Sequence, residues 1–360
     1  MKMLKKICAV LMAGLLTVAA VGCHPKDEIA VTVSGEKFTS AYYMCALINA
    51  DMEARQKVDE KKDAEDTSET DYYAQKIEKK SFAKWVKDKA LETLKEIAAY
   101  KIKCEKAGLT VSEEDENNAK TYASYYWSSY GYSQLFEPNG VSEATYTKYM
   151  LDASYADLFF EHLYGVGGEK EIAPEKLQST MQEKLLLADQ LDVSFSEETD
   201  GQKTEIKSKL DVYVTALQSG TMTFDQVYHD YNGDEHTDTQ PAEGEEDAVK
   251  PINPHAAVLG AEGTNFASDN YETAKAMANG EVKLIEKADG AGYTLLVKRE
   301  LSEDQYYVDN LDMSLRHMVA DDEYQKDMEK YAGTLKVKTD KSAVDRFKVK
   351  KIVYPSANQA

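Results

Sequence analysis

Ile29-Ala30-Val31-Thr32-Val33 is an unbroken apolar, β-branched run, Ser34-Gly35-Glu36 turns the chain, and Thr39 stands where a helix begins. The run reads as a strand. Thr39 is a fitting N-cap for a helix that carries Tyr42, Tyr43, Ala46, Leu47 and Ala50. Two more short strands stand at the far end, Leu335-Lys336-Val337-Lys338 and Phe347-Lys348-Val349-Lys350-Lys351-Ile352. Strands this short are not stable alone, and an isolated hairpin is marginal in water. The strand at 29–33 is therefore expected to share a sheet with 335–338 or 347–352. Helices 82–107 and 303–331 would then cover one face of it.

Upstream, Met1-Lys2-Met3-Leu4-Lys5-Lys6 is basic, and Ile7 to Val21 is an uncharged apolar run. That pattern is a secretory signal, too short for a comfortable membrane span. Ala19-Ala20-Val21-Gly22-Cys23 resembles the bacterial lipobox, whose cysteine is acylated and becomes the mature N-terminus. The resemblance implies an extracytoplasmic protein held on the cell membrane through Cys23, since two acyl chains anchor durably. Removing Lys2, Lys5 and Lys6 from 43 basic residues, against 64 acidic ones, leaves a formal charge of −24. Such a surface repels nucleic acid, whose binding needs clustered Lys and Arg. It suits solubility beside an anionic envelope.

Between the two ends the pattern is mostly helical. Phe82, Trp85, Val86, Ala90, Leu94, Ile97, Ala98 and Ile102 keep a helical period that stops at Ala107-Gly108. Ser112 caps a following helix with acids in its first turn, and Ser142 caps another through Tyr149, Tyr155, Leu158 and Phe159. After Gly167-Gly168 the pattern changes. A strand is expected over 185–195, helices over 203–219, 224–231 and 270–278, and strands over 281–286 and 292–298. Residues 232–264, with glycine, proline and acids, read as a long loop.

Tyr122, Tyr126 and Tyr130 share one helical face, with Tyr125 and Trp127 beside it and Tyr132 just beyond. Core packing accounts for some of these rings. One helix cannot bury them all, so the remainder face solvent or a client chain as amphipathic contacts. Cys45 and Cys104 fall inside helices and, in a chain this long, read as buried thiols; export would also permit a disulfide. His229 and His236 lie among Asp230, Asp234 and Asp238. The run starts like a calcium loop, but Glu235 and Pro241 occupy positions where that loop needs glycine and glutamate. No metal and no cofactor is expected.

The order of these elements resembles the PrsA/SurA-type foldases, extracytoplasmic chaperones with a helical domain and a parvulin-type prolyl isomerase domain. Val31 to Thr39 looks like the family's opening strand and turn. Ala90-Leu91-Glu92-Thr93-Leu94 through Ala107-Gly108-Leu109-Thr110-Val111-Ser112 resembles its helix pair, and Gly140-Val141-Ser142 through Tyr149 its next turn and helix. Ala216-Leu217, Gly220, Phe224 and Tyr231, then Gly280-Glu281-Val282 and Gly292-Tyr293-Thr294-Leu295-Leu296-Val297, resemble the parvulin domain. The resemblance implies two active-site histidines on the first and last strands of that domain, beside an apolar proline pocket. Here Gln190 and Thr294 stand in their places. Phe266 and Tyr271 align loosely with the pocket wall.

The expected fold is α+β. A mainly helical chaperone domain (23–184 and 300–360, after a signal at 1–22) carries a small sheet and is interrupted by a parvulin-like α/β insert at 185–299. The implied function is a membrane-anchored foldase for unfolded or nascent secreted polypeptides, its insert weak or inactive as an isomerase. An active prolyl isomerase is the first rival. A solute-binding lipoprotein of a transporter is the second, although such proteins alternate strands and helices through two lobes.

Overall fold

The computed structural model describes residues 28–61, 70–196, 198–233 and 255–355. Cys23 and His236 lie outside them. The fold is α+β and divides into two compact units, one from residues up to Lys170 together with Asp322 onward, the other Glu171–Asp321. No helix among the described residues is long and apolar enough to cross a membrane.

The first unit is organised around strand β1 (Ile29–Val33). It pairs antiparallel with β2 (Glu36–Thr39) on one side and with β9 (Val337–Thr339) on the other. Ser34 and Gly35 turn β1 into β2 with φ of 48° and 112°, the positive backbone angles that two-residue hairpin turns require. β9 is held by Val31 opposite Thr339 and Val33 opposite Val337. Beyond them the Ser34 N–H donates to the Lys336 carbonyl at 2.9 Å. The expectation that 29–33 shares a sheet with the 335–338 segment is met.

Helix α1 (Ser40–Asp59) starts at Thr39, whose hydroxyl accepts from the Tyr42 N–H at 3.2 Å. It is buried almost all round, from Ala41 through Ile48. A two-rung ladder, β3 (Lys76–Ile77) with β4 (Lys80–Ser81), leads into α2 (Phe82–Ala107). Phe82, Val86, Ala90, Leu94 and Ala98 enter the core at intervals of one turn. Gly108, at φ 71°, closes α2 where a side chain would be strained. Ser112 and Ser142 accept from the Asp115 and Thr145 N–H groups and start α3 (Glu113–Ser129) and α5 (Glu143–Tyr164). The short α4 (Tyr132–Phe136) lies between them. Cys45 and Cys104 are buried and unbridged, and burial pushes the Cys104 thiol up to about 11.

The chain end does not form the strand expected at 347–352. After α11 (Lys341–Val344), residues Val349–Lys351 make a single 3-10 turn. Both edges of β1 are already taken by β2 and β9, so Phe347, Val349 and Ile352 have no ladder to join. They sink into the helical core instead. Asn139 then acts as a strand partner for the tail. Its Nδ2 donates to the Val353 carbonyl at 2.8 Å, and the Val353 N–H donates to its Oδ1 at 2.9 Å.

The second unit begins with α6 (Pro174–Lys184), which runs directly into β5 (Leu185–Ser194). Helices α7 (Asp200–Gln218) and α8 (Phe224–Asn232) follow, each opened by a Thr/Gln capping box. Then come β6 (Ala256–Gly260), α9 (Tyr271–Lys275), β7 (Val282–Glu286) and β8 (Gly292–Arg299). The sheet order is β6-β5-β8-β7, with every neighbouring pair antiparallel. β6 lies inside the segment read as loop. It is a short Ala-rich edge strand beside a glycine, and pairing with β5, not its own propensity, makes it a strand. α9 covers only the first half of the helix expected over 270–278.

Alternation divides the sheet's side chains between two cores. Leu191, Val193, Leu295 and Val297 meet Leu210, Phe224 and Val227 of the helices on one face. Leu186, Ala188, Leu259 and Leu296 meet Tyr271, Ala274 and Met277 on the other. Gly292 permits the start of β8, because a Cβ there would lie 1.9 Å from the Val193 carbonyl oxygen. The long helix α10 (Gln305–Gly333) leaves this unit and returns to the first. There Tyr324 packs edge-on against Phe160, with ring centroids 5.1 Å apart, and donates to the Ala156 carbonyl at 2.6 Å.

Truncation after Asp340 removes five buried tail side chains from the first unit and none from the second. Hydrogen exchange should then show lost protection over 29–33 and unchanged protection over 185–194 and 292–299. Equal loss in both units would mean that they do not fold as separate cores.

A second prediction concerns Glu96 on α2. Burial pushes its carboxyl up to about 7, against the pull of Lys89. A carboxyl raised in the folded state stabilises fully below its unfolded value and loses that contribution as pH rises through about 7. Glu96→Gln should therefore raise stability at pH 8 by on the order of 1 kcal/mol and change little near pH 4. The melting temperature measured across that range checks the sign.

Candidate functional site

Gln190 and Thr294 lie on β5 and β8, the first and last strands of the second unit's sheet, and these strands are direct neighbours. In the register Gln190 stands opposite Leu296, and Asp192 opposite Thr294. Gln190 and Thr294 thus share one face but sit a rung apart. The residue that meets Thr294 is Asp192. Thr294, only 1% exposed, donates its hydroxyl to Asp192 Oδ1 at 2.6 Å. Lys287 reaches the same oxygen at 3.2 Å. Asp192 was visible in the strand sequence, but its pairing is a matter of register, which a single strand does not reveal.

This constellation holds no imidazole. The Thr294 hydroxyl at this rung is donated to Asp192. On the other face of β5, three residues before Asp192, Asp189 is fully buried and receives Arg299 Nε at 2.6 Å across the strands. Burial pushes the Asp189 carboxyl up, and the hydrogen bond and charge of Arg299 oppose that shift. The pair braces β5 on β8 and is structural.

Tyr271 belongs to the core on the Gln190 face, and its hydroxyl donates to the Glu183 carbonyl at 3.0 Å. Its ring fills space between α9 and the sheet. Phe266 is half-buried in the turn after β6, beside Gly260, where a Cβ would come within 2.8 Å of it.

The aromatic segment of the first unit divides by depth. Ala119, Ala123 and Trp127, spaced by four, form the buried line of α3. Trp127 stacks on Phe136 at 6.2 Å and meets Tyr146 at 5.8 Å. Tyr132 is buried beside the same Phe136. Tyr122, Tyr125 and Tyr130 face outward, 57%, 51% and 47% exposed. Tyr126 is the hinge between the two sets: half-buried, 5.3 Å from Tyr130 and stacked at 5.7 Å on Tyr132. Tyr130 ends the helix and edges onto Tyr125 at 5.4 Å. Tyr132, Tyr126, Tyr130 and Tyr125 are thus linked ring to ring from core to surface, with Trp127 buried beneath and Tyr122 exposed apart from them. Phe136 and Tyr146, absent from the sequence candidates, are their buried footing.

The fold that places these groups is a helical unit closed by both chain ends, with an antiparallel sheet unit carried between its two parts. No protein-family model matches the chain, and no curated protein matches it. Among solved structures it is similar to the foldase protein PrsA of Lactococcus lactis, at 12% identity over 88% of this chain and 96% of that one, with a TM-score of 0.40. It is also similar to foldase protein PrsA of Streptococcus pneumoniae, at 13% identity over 72% and 88%, with a TM-score of 0.35. PrsA of Bacillus subtilis gives 13% identity over 83% and 96%, with a TM-score of 0.32. At such identities and scores these likenesses assign no role to any residue of this chain.

Thr294→Val keeps the shape of the side chain and removes one hydrogen bond, while Asp192 keeps Lys287. It should cost about 1 kcal/mol in urea unfolding. A loss well above about 3 kcal/mol would show that the Asp192–Thr294 rung is a keystone of the sheet.

Proposed function

We propose that the chain is a lipid-anchored, extracytoplasmic foldase that holds unfolded secreted polypeptides and has little or no isomerase activity of its own. The observation that carries this reading is the outward tyrosine set Tyr122, Tyr125 and Tyr130, of which Tyr125 and Tyr130 are rooted through Tyr126 and Tyr132 in the core. Aromatic rings with few rotatable bonds make generic contacts with unfolded chains at low ordering cost. The strong negative charge of the protein keeps such complexes soluble. Each contact is weak, so binding is broad and reversible.

Weak isomerase activity follows from the chemistry of the sheet face. Rotation about a peptide bond has a barrier of about 20 kcal/mol, and a catalyst must stabilise the twisted amide with oriented donors. Gln190 and Thr294 occupy the positions at which the resemblance implies histidines, and the Thr294 hydroxyl is donated to Asp192. An active isomerase remains the competing reading, favoured only by the adjacency of β5 and β8. The anchor rests on Gly22-Cys23, and Cys23→Ser should abolish covalent lipid and release the protein from membranes.

The mature chain should suppress aggregation of an unfolded client. The triple variant Tyr122→Ser, Tyr125→Ser, Tyr130→Ser should lose most of that suppression while its melting temperature stays within about 2 °C, as expected of exposed positions. Undiminished suppression would place the client site elsewhere. In a proline-peptide assay the same mature chain should not exceed the uncatalysed rate by much; turnover typical of parvulins would establish the isomerase reading instead.

A further inference from the structure

We propose that Asp225, His229 and His255 form a binding site for a divalent transition-metal ion of the zinc type. Asp225 and His229 lie one turn apart on α8 and so point from the same face of the helix. Two ligands at i and i+4 are the usual way a single helix grips such an ion. His255 comes from the start of β6, thirty positions after Asp225. The candidate ligand atoms of the three side chains all lie within 4.8 Å of one another.

The third ligand is held in place from several sides. Its carbonyl accepts from the Gln190 N–H at 3.4 Å, and the next carbonyl, of Ala256, accepts from the Tyr307 hydroxyl at 2.6 Å. Its ring stacks on Tyr228, with centroids 3.9 Å apart and planes 14° from parallel. The His229 ring stands edge-on to it at 5.6 Å. An imidazole clamped in this way presents its Nε2 in one direction, so little freedom is lost when an ion binds.

The donor set selects the ion. Two imidazoles and one carboxylate suit zinc and its neighbours, whereas calcium and magnesium demand oxygen ligands throughout. Three protein ligands leave one tetrahedral position for water. His255 Nε2 now lies 2.8 Å from Asp225 Oδ1, and His229 Nε2 3.5 Å from the same oxygen. Ligands around a zinc ion, with bonds of about 2.0–2.1 Å, sit roughly 3.3 Å apart. On zinc binding the His255–Asp225 contact therefore opens by roughly half an ångström and the His229–Asp225 contact closes slightly. The ion takes the lone pair of each neutral imidazole, so protons compete with it for the ligands and affinity falls at low pH. Bound there, the ion ties α8 to the edge of the sheet and closes a long connection, which stabilises the folded unit.

The test uses the metal-stripped chain without signal and anchor cysteine, residues 24–360 without a histidine tag, and Zn²⁺ competed against a chromophoric chelator. One equivalent should bind with micromolar or tighter affinity and raise the melting temperature. Cobalt in its place should give the visible absorption of a tetrahedral N/O site. His229→Gln and Asp225→Asn should each weaken binding about tenfold or more, and His229→Gln with His255→Gln should abolish it, with far-ultraviolet circular dichroism unchanged. His317→Gln serves as control, because His317 pairs with Asp321 on α10, outside the cluster; it should bind as the parent does. Binding no tighter in the parent than in the double variant, or equal in all variants, overturns the proposal.

Discussion

β1 is five residues long and has a strand on each side, one supplied by the next few residues and one by a segment 302 positions away at the Ser34–Lys336 contact. No part of the first unit is complete until that second partner arrives. A strand of this length gains little from one neighbour, and closing so long a loop costs entropy that only the finished core repays. The buried tail residues Phe347, Val349 and Ile352 make that repayment local: the segment that delivers β9 also delivers side chains to the same core. Everything between the ends must therefore leave and return, and the sheet unit is what fills the excursion.

The tail is fastened by polar groups as well as by burial. Asp51 is fully buried on α1 and accepts from Arg55 at 2.6 Å and from the Tyr354 hydroxyl at 2.5 Å. Arg55 lies between the Tyr72 and Tyr354 rings, 4.5 and 4.3 Å from their centroids. Burial raises the Asp51 carboxyl while Arg55 draws it down, the balance expected where a charge is taken out of water and paired. Asp152 is treated alike, receiving the Tyr42 hydroxyl and two lysines. A charge of this kind is costly without its partners, so each such cluster admits one arrangement of the helices around it.

The two units divide the chemistry. The sheet unit has a core on each face and can stand by its own packing. On its central strands Thr294 donates to Asp192 and Arg299 donates to Asp189. The helical unit carries an aromatic ramp that rises from Trp127 and Phe136 to exposed tyrosines.

Local order was legible without a structure. The strand at 29–33, the Thr39, Ser112 and Ser142 caps, the glycine stop at 108 and the strands near 185, 282 and 292 all follow from side-chain sterics and periodicity within a few residues. The resemblance of those elements in order to a foldase was legible too, as was the impossibility of burying six rings on one helix. Other features depended on partners distant in sequence. Ala256–Gly260 is a strand because β5 lies beside it, and 347–352 is not one because β1 has no free edge. Asp192 rather than Gln190 meets Thr294 because register is set by the whole sheet. His255 joins Asp225 and His229 because the chain returns to α8 thirty residues later. Sequence determines what each segment prefers, since those preferences are properties of neighbouring residues; which segments and side chains meet is decided by closure of the fold, where one partner's position is fixed by all the others.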